Sequence, residues 1–206
     1  MEGRVFNIAP HVRAPYPLPE REIPLMIGTW GKRLARLAGE IANEVKIGGS
    51  ANPEMAKYLR NAITQGELLA GREPGSVGIV VGAVTVVDED RAAARKKARR
   101  EAALYLPVVA KLDPTVDIDQ ELLDRMAKLV VEAEPAAAEK LISDELLDRF
   151  AFSGTPSDLL DQVHALADAG VSRVEFGTPH GLQAEIGIRL LGEQVIPQFP
   201  QGIAAG

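Results

Sequence analysis

Along most of this chain, short continuous apolar runs alternate with stretches whose apolar residues recur every three or four positions. The first kind suits strands buried on both faces, the second amphipathic helices. Strands are predicted at 23–28 (IPLMIG), 45–48 and 77–87. The last, VGIVVGAVTVV, is almost continuously β-branched and should be central. A helix is predicted over 32–44, with Leu34, Leu37, Ala38, Ile41 and Val45 on its inward side. The next helix starts at Asn52, an N-cap residue followed by Pro53 at the first helical position. Its stripe is Met55, Tyr58, Leu59, Ala62 and Ile63.

Beyond the central strand, Asp88-Glu89-Asp90 places carboxylates at a helix start, where the macrodipole favours them. Residues 106–150, interrupted by Pro107, Pro114 and Pro135, hold helical spacing and no strand, so they read as a helical insert. Thr155, Pro156 and Asp158 form a cap, first-turn proline and capping-box pattern. Gly170 ends that helix, 171–177 is a strand, and a last helix covers about 182–195. Alternating strands and helices imply a parallel sheet with crossover helices. Four strands make about half of an eight-stranded α/β barrel, which takes about 250 residues. Residues 1–22 differ: Arg4–Ile8 reads as an edge strand, and Pro10, Pro15, Pro17 and Pro19 make the following arm extended.

Composition narrows the functional classes. The 206 residues carry 23 Lys and Arg against 29 Asp and Glu, a net charge of −6 that argues against a nucleic-acid binder. The basic run Arg91, Arg95, Lys96, Lys97, Arg99, Arg100 is therefore read as a solvated helix face. There is no cysteine, which removes disulfides, thiolate metal sites and thiol nucleophiles. No histidine pair has zinc spacing, so no metal site is expected. No apolar stretch is long enough for a membrane span and the first residues lack the apolar core of a signal peptide, so a cytoplasmic protein is the expectation.

The chemistry is expected at two strand ends. Gly28-Thr29-Trp30-Gly31 joins a strand to a helix, where backbone N–H groups favour an anion. Gly48-Gly49-Ser50 ends the next strand. In a parallel sheet both open on the same side, the ligand side of α/β proteins, and together they suggest a phosphate cradle. His180, after the last strand, lies toward that side too, whereas Ser153 and Ser157 lack an accompanying His–acid pair for nucleophilic chemistry.

The run IPLMIGTWGKRLARLAGEIANEVKIGGSANPEMAKYLR resembles the luciferase-like monooxygenase superfamily, above all its deazaflavin-dependent, methylenetetrahydromethanopterin reductase-like branch. The segments EGRVF and FSGTPSDLLDQVHALADAGVSRVEFGTPHG are similar to the same superfamily in the same order. The resemblance implies a (β/α)8 barrel of which this chain covers strands five to eight, with residues 23–206 as the C-terminal half. It implies flavin mononucleotide or an 8-hydroxy-5-deazaflavin coenzyme as cofactor. Gly28, Thr29, Trp30, Gly31, Gly48 and Gly49, with Ser50 beside them, would surround its phosphate, and catalytic side chains stay unassigned.

Two functions follow from this. The chain is part of an oxidoreductase, holding the coenzyme-phosphate half of a site, or it is a non-catalytic truncated barrel that serves as an oligomeric structural or ligand-binding protein. A half-barrel leaves two unpaired strand edges and an apolar interior face exposed. The expected partner is a second copy or a separate N-terminal half-barrel chain, not nucleic acid or membrane.

Overall fold

A computed structural model describes residues 3, 4, 7, 9, 11–13 and 20–203. Val5, Phe6 and Ile8 of the expected edge strand, and Pro10, Pro15, Pro17 and Pro19, lie outside the described residues. The described residues form an α/β protein built on one parallel sheet of five strands: β1 (Met26–Gly28), β2 (Glu44–Gly48), β3 (Gly78–Val87), β4 (Ala151–Gly154) and β5 (Arg173–Gly181). The first half of β3 pairs with β2 (Glu44↔Gly78 to Gly48↔Gly82) and its second half with β4 (Val84↔Ala151 to Val87↔Gly154). β5 runs along most of β3 (Val80↔Arg173 to Val87↔Gly181). A strand has two edges, so β2 and β4 share one edge of β3 in succession and β5 holds the other.

The β4 strand was not expected. Four residues, Ala-Phe-Ser-Gly, between a helix and a capping box are too few for any alternation to show. The last strand also runs past 177: Thr178–Gly181, expected as a loop, continues β5.

The helices are α1 (Lys32–Ile41), α2 (Pro53–Leu69), α3 (Arg91–Ala103), α4 (Leu106–Val109), α5 (Gln120–Val131), α6 (Pro135–Ala138), α7 (Asp144–Phe150), α8 (Pro156–Asp168) and α9 (Ala184–Leu190). A π-helical turn, Leu191–Val195, continues α9. The caps form as their sequences demand. Asn52 Oδ1 accepts from Glu54 N at 3.1 Å, Asp90 Oδ1 from Ala93 N at 3.0 Å, and Thr155 and Asp158 make a reciprocal capping box. Among the described residues no helix is long and apolar enough to cross a membrane.

One face of the sheet, with Val45, Ile47, Ile79 and Val81, packs on α1, α2 and α8 in a single core. A second core joins the insert helices to Val86, near the C-terminal end of β3, and to Ala151, the first residue of β4. The α1 helix departs from expectation. Its inward residues are Ala35, Ala38 and Gly39, while Leu34, Leu37 and Ile41 are 42%, 43% and 55% exposed. Small residues let α1 and α2 approach closely: a Cβ on Gly66 would stand 1.9 Å from the Arg36 carbonyl oxygen, and one on Gly39 would stand 2.2 Å from that of Ile63. The large residues are left on the opposite side.

The basic run of α3 is a solvated face only in part: Arg91, Lys96 and Arg100 are exposed, but Arg95 is not. Arg95 is buried and reaches Asp148 at 2.6 Å and Asp144 at 3.0 Å, while Arg99 pairs with Asp144 and Arg100 with Glu139. Desolvation opposes the charge on Arg95, but the hydrogen bonds it donates to Asp148 and Asp144 prevail and raise its pKa. These arginines fasten the helical insert to the sheet unit.

Candidate functional site

The face of the sheet away from the α1–α2 core carries Glu44, Lys46 and Gly48 on β2, Gly78, Val80 and Gly82 on β3, and Arg173, Glu175 and Gly177 on β5, as the register requires. This face was expected to be apolar, and it is not. Arg173 pairs with Glu44 at 2.7 Å and with Glu175 at 3.4 Å, and Lys46 pairs with Glu175. Side chains from β2 and β5 can meet across β3 because β3 has glycine at 78 and 82; a Cβ on Gly82 would lie 3.2 Å from that of Glu175. Val80, between Lys46 and Arg173 in the register, is fully buried.

Where this ladder reaches the C-terminal ends of the strands, a cleft of about 340 Å³ opens. The Lys46–Glu175 pair borders it, Gly48, Gly82 and Gly177 line it, and the Tyr105 ring from the insert closes one side over Gly49. The Tyr105 hydroxyl donates to the Phe150 carbonyl, and burial pushes its pKa up, so the phenol stays protonated and turns its ring to the cleft. A Cβ added at Gly48 would meet nothing within 4 Å, so this is the glycine that borders open space.

The two predicted loops lie at the ends of neighbouring parallel strands, joined by the Thr29 amide donating to the Lys46 carbonyl at 2.9 Å. Only the second lines the cleft. Its amides are already engaged: Gly49 N and Ser50 N both donate to the Gly82 carbonyl, at 2.6 and 3.2 Å. Buried Ser50 accepts from Asn52 N at 3.1 Å, a turn that leads into α2. Gly49 holds φ +78°, a left-handed conformation that favours glycine.

The first loop is different. Gly31 is the N-cap of α1 with extended backbone and no side-chain cap. Its own amide donates to Thr29 Oγ1 at 3.0 Å, which leaves the Lys32, Arg33 and Leu34 amides without an acceptor among the described residues. Trp30 is half-buried and packs against both cores, which anchors the loop. His180 has φ +71°, its Nε2 lies 3.2 Å from the Phe176 carbonyl, and it is not part of the cleft wall. Lys46, Gly82, Glu175, Gly177 and Tyr105 were not singled out from sequence. Charged residues at alternate positions within β2 and β5 were the available signal.

A parallel sheet with helices packed on one face, and a glycine-lined cleft at the C-terminal ends of its strands, defines an α/β protein. Residues 1–173 match the family described as luciferase-like monooxygenase, and the chain belongs to that family. A 5,10-methylenetetrahydromethanopterin reductase from Archaeoglobus fulgidus is 30% identical over 185 residues, which is 86% of this chain and 54% of the relative. An F420-dependent glucose-6-phosphate dehydrogenase from Microbacterium testaceum is 26% identical over 190 residues, 92% of this chain and 52% of the relative. The solved coenzyme F420-dependent tetrahydromethanopterin reductase of Methanopyrus kandleri superposes with a TM-score of 0.73 at 26% identity, over 85% of this chain and 51% of that one. The chain thus spans about half the length of the relatives it matches.

Proposed function

We propose that this chain forms the coenzyme-holding part of a deazaflavin-dependent oxidoreductase, its strands standing in the places of strands five to eight of a (β/α)8 barrel. Relatives whose names carry F420 favour a deazaflavin over flavin mononucleotide. The observation that carries the reading is the uncapped start of α1 beside a glycine-lined cleft. A phosphate at Gly28-Thr29-Trp30-Gly31 would meet the positive end of a ten-residue helix whose first amides have no acceptor among the described residues. The residues fit such a group in part. Gly48 leaves room for it, whereas the Gly49 and Ser50 amides, held by the Gly82 carbonyl, shape the loop and are not donors to the ligand.

When bound, a deazaflavin supplies two-electron hydride chemistry. The chain's own residues supply position. The α1 start anchors the anionic end, and the Tyr105 ring gives a flat wall at one side of the cleft. The Lys46–Glu175 pair keeps two opposite charges at its border without leaving either one unpaired.

Titration of the purified chain with coenzyme F420 and, separately, with flavin mononucleotide, followed by coenzyme fluorescence, tests the reading. Saturable uptake of the deazaflavin at lower concentration than the flavin is expected, and Gly48→Val should weaken it at least tenfold. No uptake of either coenzyme would overturn the assignment.

A further inference from the structure

Besides the far side of the short strand β4, two edges of the sheet have no neighbouring strand among the described residues. One is β1, flanked by α1; the other is the outer edge of β5, flanked by α9. Open strand edges and large apolar patches call for a covering partner. Both ends are apolar: α1 turns Leu34, Leu37 and Ile41 to solvent, and α9 turns Ile188. The charges around them are of opposite sign. Exposed Arg33 and Arg36 border the α1 patch, and exposed Glu185 and Glu193, with Arg189 between them, border the α9 patch. Among the described residues, Arg33, Arg36, Glu185 and Glu193 have no ion-pair partner.

We infer that a second copy of this chain joins these unlike ends, each copy's β1 lying beside the other's β5 and its α1 against the other's α9. The strands β1, β2, β3 and β5 stand side by side and parallel, with β4 sharing an edge of β3. Two copies therefore bring eight such strands, the number that closes an α/β barrel. A twofold axis along the strands keeps them all parallel and makes the same α1–α9 junction twice, so neither the β1 edge nor the β5 edge is left over.

The face that such closure would enclose is suited to enclosure. Glu44, Lys46, Arg173 and Glu175 pair within one chain and sum to zero charge, so a covering copy need not bring counter-charges. The cleft gains from it as well. Its lining comes from one side only, β2, β3, β5 and the insert, and the second copy's inner face would be its far wall. The inference rests on strand count, edges and charge rather than on the coenzyme reading.

Sedimentation velocity of the ligand-free full chain at micromolar concentration tests it. A species of twice the 22.1 kDa of one chain is expected. The variants Arg33→Glu/Arg36→Glu and Glu185→Arg/Glu193→Arg each set like charges at both junctions, and each should dissociate at least tenfold more readily. Their mixture should recover dimers, because both junctions of the mixed pair then join opposite signs. Circular dichroism verifies that the variants, all at exposed positions, are folded. A wild-type chain that sediments at 22.1 kDa overturns the inference, as does a dimer indifferent to both variants or a folded mixture that does not recover. No coenzyme enters the measurement, so failure of the coenzyme reading cannot be mistaken for failure of the assembly.

Discussion

The loops Gly28–Gly31 and Gly48–Ser50 both follow a short parallel strand and both lead into a helix, but their backbone amides go to different places. After β2, Gly49 N and Ser50 N bind the Gly82 carbonyl, Ala51 N binds that of Arg149 at 2.8 Å, and Asn52 caps α2 with its side chain. After β1, Gly31 caps α1 without any side chain, and the first-turn amides have no acceptor among the described residues. The α2 start is thus complete within the protein, while the α1 start awaits an acceptor. Glycine content and strand-end position are the same for both. What separates a ligand loop from a structural one is whether its donors are already satisfied.

The contrast is broken most severely at Asn52. Besides capping α2, its amide donates to buried Asp113 at 2.8 Å and to Thr115 at 2.9 Å, and its oxygen accepts from Arg149 at 3.3 Å. Asn52→Ala should therefore cost about 2–4 kcal/mol, the loss of a cap together with a buried carboxylate short of a partner. Urea denaturation measures it. A loss below about 0.5 kcal/mol would mean that the α2 start is not the closed structure described above. Gly49→Ala comes next. It forces a Cβ into φ +78° and to 3.1 Å from Val109 Cγ1, and should cost about 1–2 kcal/mol. Gly49 is thus a fold position, and a bulky residue there cannot test ligand binding in isolation.

The sequence made the parallel order, the three longer strands, the N-caps of α2 and α8 and the acidic start of α3 legible, because those depend on local patterns: β-branched runs, and Asn, Asp or Thr before a helix. It misplaced what depends on a neighbour. Leu34, Leu37 and Ile41 have the spacing of a core stripe, yet the close approach at Gly39 and Gly66 gives the inward side of α1 to alanines. The α3 arginines look like a solvated face until Asp144 and Asp148 arrive from the insert, about fifty positions away in the chain. The cleft was half legible. Glycines at 48 and 49 mark its rim, but Lys46, Glu175 and Tyr105 meet only through register and the packing of the insert.

A smaller change in stability accompanies Gly48→Val. The new side chain enters open space, so the fold should shift by no more than about 0.5 kcal/mol while the cleft fills. Set beside Gly49→Ala, it separates the two glycines: one changes the urea midpoint, the other the coenzyme titration. If Gly48→Val unfolds the chain, the cleft is not open at that wall.

The smallest effect on the fold, and one of opposite sign, is expected at Gly31. Its backbone is already extended, φ −107° and ψ 133°, as an N-cap requires, and a Cβ there would come no nearer than 3.8 Å to Thr29 Oγ1. Aspartate fits, supplies the missing cap and places a negative charge at the helix start. Gly→Asp should therefore stabilise the chain by a few tenths of a kcal/mol, about 0.3–1 kcal/mol once the dipole contributes. The same carboxylate occupies the amides that a phosphate would use and repels it. Gly31→Asp should accordingly raise the urea midpoint while weakening coenzyme uptake at least tenfold, and high salt should recover little of the loss, because the amides remain taken. The matching change on the other loop, Asn52→Asp, keeps a cap oxygen but sets a carboxylate against buried Asp113, so it should lower the urea midpoint without affecting uptake through the α1 start. If Gly31→Asp stabilises the chain and binding is unchanged, the anion lies elsewhere, and the open helix start of α1 has no part in holding it.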